Sequence, residues 1–167
     1  MKCKNEKGIT LIVLAVTIII MLIIASIAIY AGTESIKNAK LEALKTNMLL
    51  IQAKAKEYVE EVSFKMGVTS GVDATEVQNR TNQARTEIYI NDAQLEVVTD
   101  TSKIPGLTSG NTYKVGQEAL KKMGLEQIEN TEGEYWVTFD EENCTVEVYN
   151  TEGYQGKYSL TDIENIN

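Results

Sequence analysis

The sequence contains no histidine, one proline and two cysteines in 167 residues. Without imidazole there is no Ser-His-Asp or Cys-His arrangement and no imidazole-ligated metal centre. Cysteines at positions 3 and 144 cannot build a disulfide-rich scaffold. Basic side chains are also scarce: 16 Lys and Arg stand against 24 Asp and Glu, a net charge of −8. Phosphate binding needs a clustered basic surface, so no nucleic-acid partner is indicated. Neither enzymatic activity nor a cofactor is expected.

Apolar residues are abundant but unevenly spread. From Gly8 to Thr33 no side chain is charged, and the run from Ile9 to Ala31 is broken only by Thr10, Thr17, Ser26 and Tyr30. As a helix rising about 1.5 Å per residue it spans roughly 35 Å, against about 30 Å of hydrocarbon in a bilayer. Lys2, Lys4 and Lys7 precede it with one acid, Glu6. The leader is therefore expected to stay cytoplasmic and the acidic remainder to lie outside. Three readings are open for the segment. It is a cleaved signal peptide with a small-residue site near Ser26-Ile27-Ala28, a permanent single-pass anchor, or a helix processed at its start.

The third reading rests on Lys7-Gly8-Ile9-Thr10-Leu11-Ile12, where the chain turns from charged to wholly apolar at one Gly. This junction resembles the processing site of type IV prepilins and of the related pseudopilins of secretion and DNA-uptake machines. There a short basic leader ends in Gly, followed by an apolar residue, Thr-Leu and a long hydrophobic helix. The resemblance covers Lys7 to about Ala31. It implies cleavage between Gly8 and Ile9 by a prepilin peptidase and methylation of the new amine on Ile9. It also implies assembly, on a membrane platform, with copies of the chain or with other pilin-like subunits. Membrane lipid is the partner before assembly, and the cell surface is the destination after it. Adhesion, motility, DNA uptake and secretion are not distinguished.

Two positions depart from the family pattern: Ile9 stands where Phe is usual, and Val13 where Glu is usual. In the family that Glu pairs with the amine of a neighbouring subunit. Losing one partner of a buried pair costs about 3–5 kcal/mol if the ammonium stays charged. An α-amine with a reference pKa of about 7.7 instead sheds its proton at pH 7 for roughly 1 kcal/mol. Val13 is thus compatible with a homopolymer and equally with a minor subunit at a filament tip.

Beyond the apolar run, Leu41, Leu44, Met48, Ile51, Ala55, Tyr58 and Val62 recur at alternating spacings of three and four. That is one apolar seam on an amphipathic helix. Gly32 is the only Gly and there is no Pro between Ile9 and Val62, so one nearly continuous helix roughly 80 Å long is expected. The organisation reads as a leader (1–8), a membrane and filament-core helix (9–31), its amphipathic continuation (32–62) and an outer domain (63–167).

In the outer domain, Asp73 to Arg85 reads as a second helix with Asp73 as N-cap. Glu87-Ile88-Tyr89-Ile90 alternates and reads as a strand, and Leu95 to Val98 as a weaker one. Ile104-Pro105-Gly106 is a turn, and Gln117 to Met123 a helix ended by Gly124. Tyr135 to Phe139 and Cys144 to Tyr149 form a hairpin joined by Asp140 to Asn143. Asn130-Thr131-Glu132-Gly133 and Asn150-Thr151-Glu152-Gly153 read as turns flanking it, and Lys157 to Leu160 as a third strand. Antiparallel sheet on one long helix is an α+β arrangement, which is also what the prepilin resemblance implies.

The acidic hairpin loop lacks the alternating ligands of a calcium loop and reads as a solvated turn. Cys144 reads as a buried strand residue. Asn79-Arg80-Thr81 and Asn143-Cys144-Thr145 match an N-glycosylation acceptor in form only. Trp136 and the tyrosines are assigned to sheet surface and core.

Overall fold

The only proline is Pro105, and helix formers run uninterrupted through the first third of the chain. The computed structural model accordingly carries one helix, α1 (Glu6–Met66), straight through Gly8 and Gly32. It describes residues 6–107, 111–129 and 132–166, with the backbone alone at 6–12 and 28–31. The chain divides into two compact units, Met1–Glu42 and Ala43–Asn167. The first is helical wherever it is described.

The second unit is α+β, as the sequence implies. After α1 come α2 (Ala74–Arg85), a π-helical segment (Thr86–Asp92), β1 (Glu96–Val97), β2 (Thr112–Val115), α3 (Gln117–Lys122), β3 (Tyr135–Asp140), β4 (Thr145–Tyr154), β5 (Lys157–Ser159) and α4 (Leu160–Glu164). The five strands form an antiparallel sheet in sequential order. Tyr113, Val137 and Val148 are paired across β2, β3 and β4, as are Lys114, Trp136 and Tyr149. Each triplet shares a face, because successive strand residues point to opposite sides. Asn47 of α1 donates to the Tyr135 hydroxyl and Gln52 to the Val146 carbonyl, so α1 lies on the Tyr135–Val137 face. The core there contains Met48, Ile51, Val59, Val62, Val137 and Val148, all fully buried or nearly so.

Several sequence expectations need correction. α1 does not stop at Val62. It runs to Met66 and is ended by Gly67 at φ +67, whose N–H reaches the Phe64 carbonyl. Within the seam, Leu41, Met48, Ile51, Ala55 and Val62 are buried, but Leu44 and Tyr58 are only half-buried and Val59 is fully buried in their place. An ideal helix has 3.6 residues per turn and drifts about 20° per heptad from a 3.5-residue seam. The stripe Met48, Ile51, Ala55, Val59, Val62 follows the helix rather than the heptad.

Glu87 to Ile90 is not a strand but part of the π turn, closed by the Ala93 N–H on the Ile88 carbonyl. Alternation would send Ile88 and Tyr89 to opposite faces, whereas the wide turn buries both completely. β2 carries no strand pattern of its own, since Lys114 interrupts its apolar residues, yet it sits between β1 and β3. The expected third strand ends at Ser159 rather than Leu160, because Ser159 caps α4 there by accepting from the Asp162 N–H.

Asn150 to Gly153 does not form a turn of its own. β4 runs on to Tyr154 through an irregular register, and the chain reverses at Gln155-Gly156. Asn130 and Thr131 lie outside the described residues, but Gly133 meets this stretch directly. A Cβ on Gly133 (φ +88) would fall 2.6 Å from Asn150 Oδ1 and 2.9 Å from the Glu152 nitrogen. Asn150 is fully buried; its Oδ1 accepts from the N–H groups of Glu152 and Gly153, and its Nδ2 donates to the Glu132 carbonyl. Asn150→Ala strands three backbone groups, so it is expected to lower stability by about 2–4 kcal/mol. Denaturation of the full chain in detergent micelles, followed by fluorescence of its single tryptophan, measures this.

Candidate functional site

Gly8 and Ile9, the processing positions implied by the sequence, lie inside the helical backbone of α1; their side chains fall outside the described residues. Val13 is 55% exposed. From Val13 to Ile27, eleven large apolar side chains are exposed along with the smaller ones between them. By length and composition this is a helix able to cross a membrane, and none of that stretch is buried within the protein. Its two described hydroxyls are satisfied inside the helix: Thr17 donates to the Leu14 carbonyl and Ser26 to the Ile23 carbonyl, each at 2.8 Å. An apolar medium requires this, since water is absent there to hydrogen-bond exposed polar groups.

The second unit holds two charged clusters that no local pattern in the sequence reveals. In the first, the Arg85 guanidinium, at the end of α2, grips both oxygens of Glu141 at 2.7 and 2.8 Å. The Tyr89 hydroxyl also donates to Glu141. Tyr89 stacks on Phe139, with ring centroids 4.0 Å apart, and meets Tyr113 edge-on. Burial first, and then the Glu141 charge, drive the Tyr89 phenol far above its ordinary value. The hydrogen bond to Glu141 raises Arg85 in turn.

The acidic loop is therefore not a plain solvated turn: Glu141 is only 6% exposed and fastens the hairpin to the end of α2. Asp140 organises the rest of the loop by accepting from the N–H groups of Glu142 and Asn143. Cys144 is not a strand residue either. It is half-buried at φ +50 in the turn, where the chain must enter the left-handed region before β4 begins. Among the described residues no group of three or more carboxylates or thiols is placed to hold a metal.

The second cluster lies on the sheet face opposite α1. Glu134 accepts from Lys103 at 2.7 Å and from Lys114 at 2.8 Å. These hydrogen bonds, led by that of Lys103, hold the Glu134 carboxyl down at about 2. Beside it Trp136, 3% exposed, is covered by Val98 and Ile104 and by the half-buried Leu107, Tyr149 and Tyr158. Its indole Nε1–H has no acceptor among the described residues. Burying an indole contributes about 4–6 kcal/mol, while an unmet buried donor costs about 1–3 kcal/mol. The net gain from covering this face is therefore modest.

The chain matches no protein-family model, and the searches of curated proteins and of solved structures found no match to it. The geometry supplies an exposed apolar surface on α1, long enough to cross a membrane.

Each cluster is open to test by substitution. Arg85→Met leaves a buried carboxylate unpaired and is expected to cost about 3–5 kcal/mol, and the double change with Glu141→Met recovers most of it. Denaturation of the single and double variants tests this. The lowered carboxyl of Glu134 contributes stability that is present above about pH 4.5 and fades as pH falls toward 2. Glu134→Gln is expected to flatten that part of the stability–pH curve.

Proposed function

We propose that the chain is a pilin-like structural subunit, cut after Gly8, methylated on Ile9 and assembled into a type IV pilus or pseudopilus filament. One observation carries this reading: α1 is unbroken, with an apolar and unburied stretch from Val13 to Ile27 followed by a core-forming one from Met48 to Val62. A signal peptide calls for a polar, helix-breaking stretch after the apolar run, and α1 has none. A subunit whose helix serves first as anchor and then as filament core calls for this continuity.

On this reading the leader stays cytoplasmic and the sheet-bearing unit lies outside the membrane. Removing Lys2, Lys4 and Lys7 takes away charges that would hold the helix at the cytoplasmic face. The exposed surface then exchanges lipid for sister helices. The chain is a substrate of a prepilin peptidase and a building block for a membrane platform, with no catalytic group of its own.

The membrane-length apolar stretch of α1 serves a second reading as well, a single-pass surface protein with an outer binding domain that does not polymerise. Sequencing the mature N-terminus after co-production with a prepilin peptidase separates the readings. Methylated Ile9 at the start supports the filament subunit. An intact Met1 supports the anchor, and a start beyond Ala28 means ordinary secretion.

If the amine of Ile9 must be neutral beside Val13, incorporation into filaments weakens as pH falls below about 7.7, by about 1.4 kcal/mol per unit. Val13→Glu is expected to remove that dependence. Equal incorporation of both chains at every pH would overturn the electrostatic account.

A further inference from the structure

From Thr99 to Leu107 the chain leaves β1 and crosses the sheet face opposite α1. Its internal bonds are its own: Thr101 Oγ1 donates to the Leu107 carbonyl, Ile104 N–H to the Thr101 carbonyl, Leu107 N–H to the Ile104 carbonyl and Ser102 N–H to Asp100. Pro105 and Gly106 (φ +83) fix its tip. Such a segment is a compact Ω-type loop that keeps its own shape. Among the described residues, its only hydrogen bond or ion pair to the rest of the protein is Lys103 to Glu134, at 2.7 Å. Lys103 also stands over the Trp136 ring, 6.0 Å from its centroid. The remaining attachment is apolar: Ile104 and Leu107 rest on Trp136.

We infer that Thr99–Leu107 is a strap that lifts from the sheet as one unit, latched by the Lys103–Glu134 pair over Trp136. Three observations converge on this. The strap's hydrogen bonds survive lifting, because they are internal. The latch is an ion pair with Lys103 more than half exposed, so it is weak and screened by salt. In the closed position the indole Nε1–H of a 3%-exposed Trp136 has no acceptor among the described residues, a penalty that opening removes. Lifted, the strap uncovers Trp136, Tyr149 and Tyr158 as one aromatic face with an indole donor, flanked by Lys114 and Glu134. β3 and β4, paired over six residues, stay folded beneath it.

Amide hydrogen exchange on the full chain in detergent micelles tests the inference, comparing the strap peptide with β3 and β4. The strap is expected to exchange on the order of a hundredfold faster than β3 and β4. Lys103→Met, Glu134→Gln or molar salt on the unchanged protein speeds the strap by about fivefold, while β3 and β4 stay far slower than the strap. Trp136→Phe keeps a ring, removes the unmet donor and slows the strap. Exchange of strap and sheet at one common rate would overturn the inference. So would latch variants that leave the strap unchanged.

Discussion

An apolar helical surface that the protein itself does not cover dominates the energetics of this chain. Eleven large aliphatic and methionine side chains between Val13 and Ile27 are about half exposed or more. Covering them is worth on the order of 10–20 kcal/mol, comparable to the whole stability of a folded domain. None of that stretch is buried in the structure. By length and composition the helix can cross a bilayer, a medium that covers such a surface without leaving backbone groups unpaired, since a helix satisfies its backbone along its own axis. The back-bonding of Thr17 and Ser26 removes the only polar side-chain atoms described on that stretch from the problem.

The second unit solves a different problem with the same helix. Once Met48, Ile51, Ala55, Val59 and Val62 are turned inward, the sheet supplies the opposing apolar layer. The polar elements then decide how the layers are stitched. Asn150 satisfies the backbone where β4 departs from regular pairing, and Glu141 ties the hairpin to α2 through Arg85. The outer face of the sheet is the less securely covered one, held by a self-contained loop and a shared carboxylate at Glu134.

Much of this architecture was legible in the residues, for stated reasons. The helix from Ile9 to Val62 follows from composition and the lack of breakers. The hairpin follows from alternation in Tyr135–Phe139 and Val146–Tyr149, and Asp73 and Gly124 punctuate as their chemistry dictates. What escaped depends on partners far away in sequence. Arg85 and Glu141 lie 56 residues apart, and nothing local marks either as buried. Ile88–Tyr89 carries a strand-like pattern that the continuation of α2 overrides. β2 is short and holds a lysine whose charge is met by Glu134, the residue just before β3. For the candidate site, the apolar stretch is plain in the sequence, whereas the resemblance at Gly8–Ile9 speaks to processing, which folding alone does not express.

The account stands or falls on what surrounds the α1 surface before and after maturation. A nitroxide label at Ile20, probed in membranes with a lipid-soluble and a water-soluble relaxation agent, reads that environment directly. The unprocessed chain is expected to give strong contact with the lipid-soluble agent alone, and after exposure to a prepilin peptidase and its assembly machinery the label should lose access to both. Unchanged lipid contact after processing, or contact with the water-soluble agent at any stage, would contradict it.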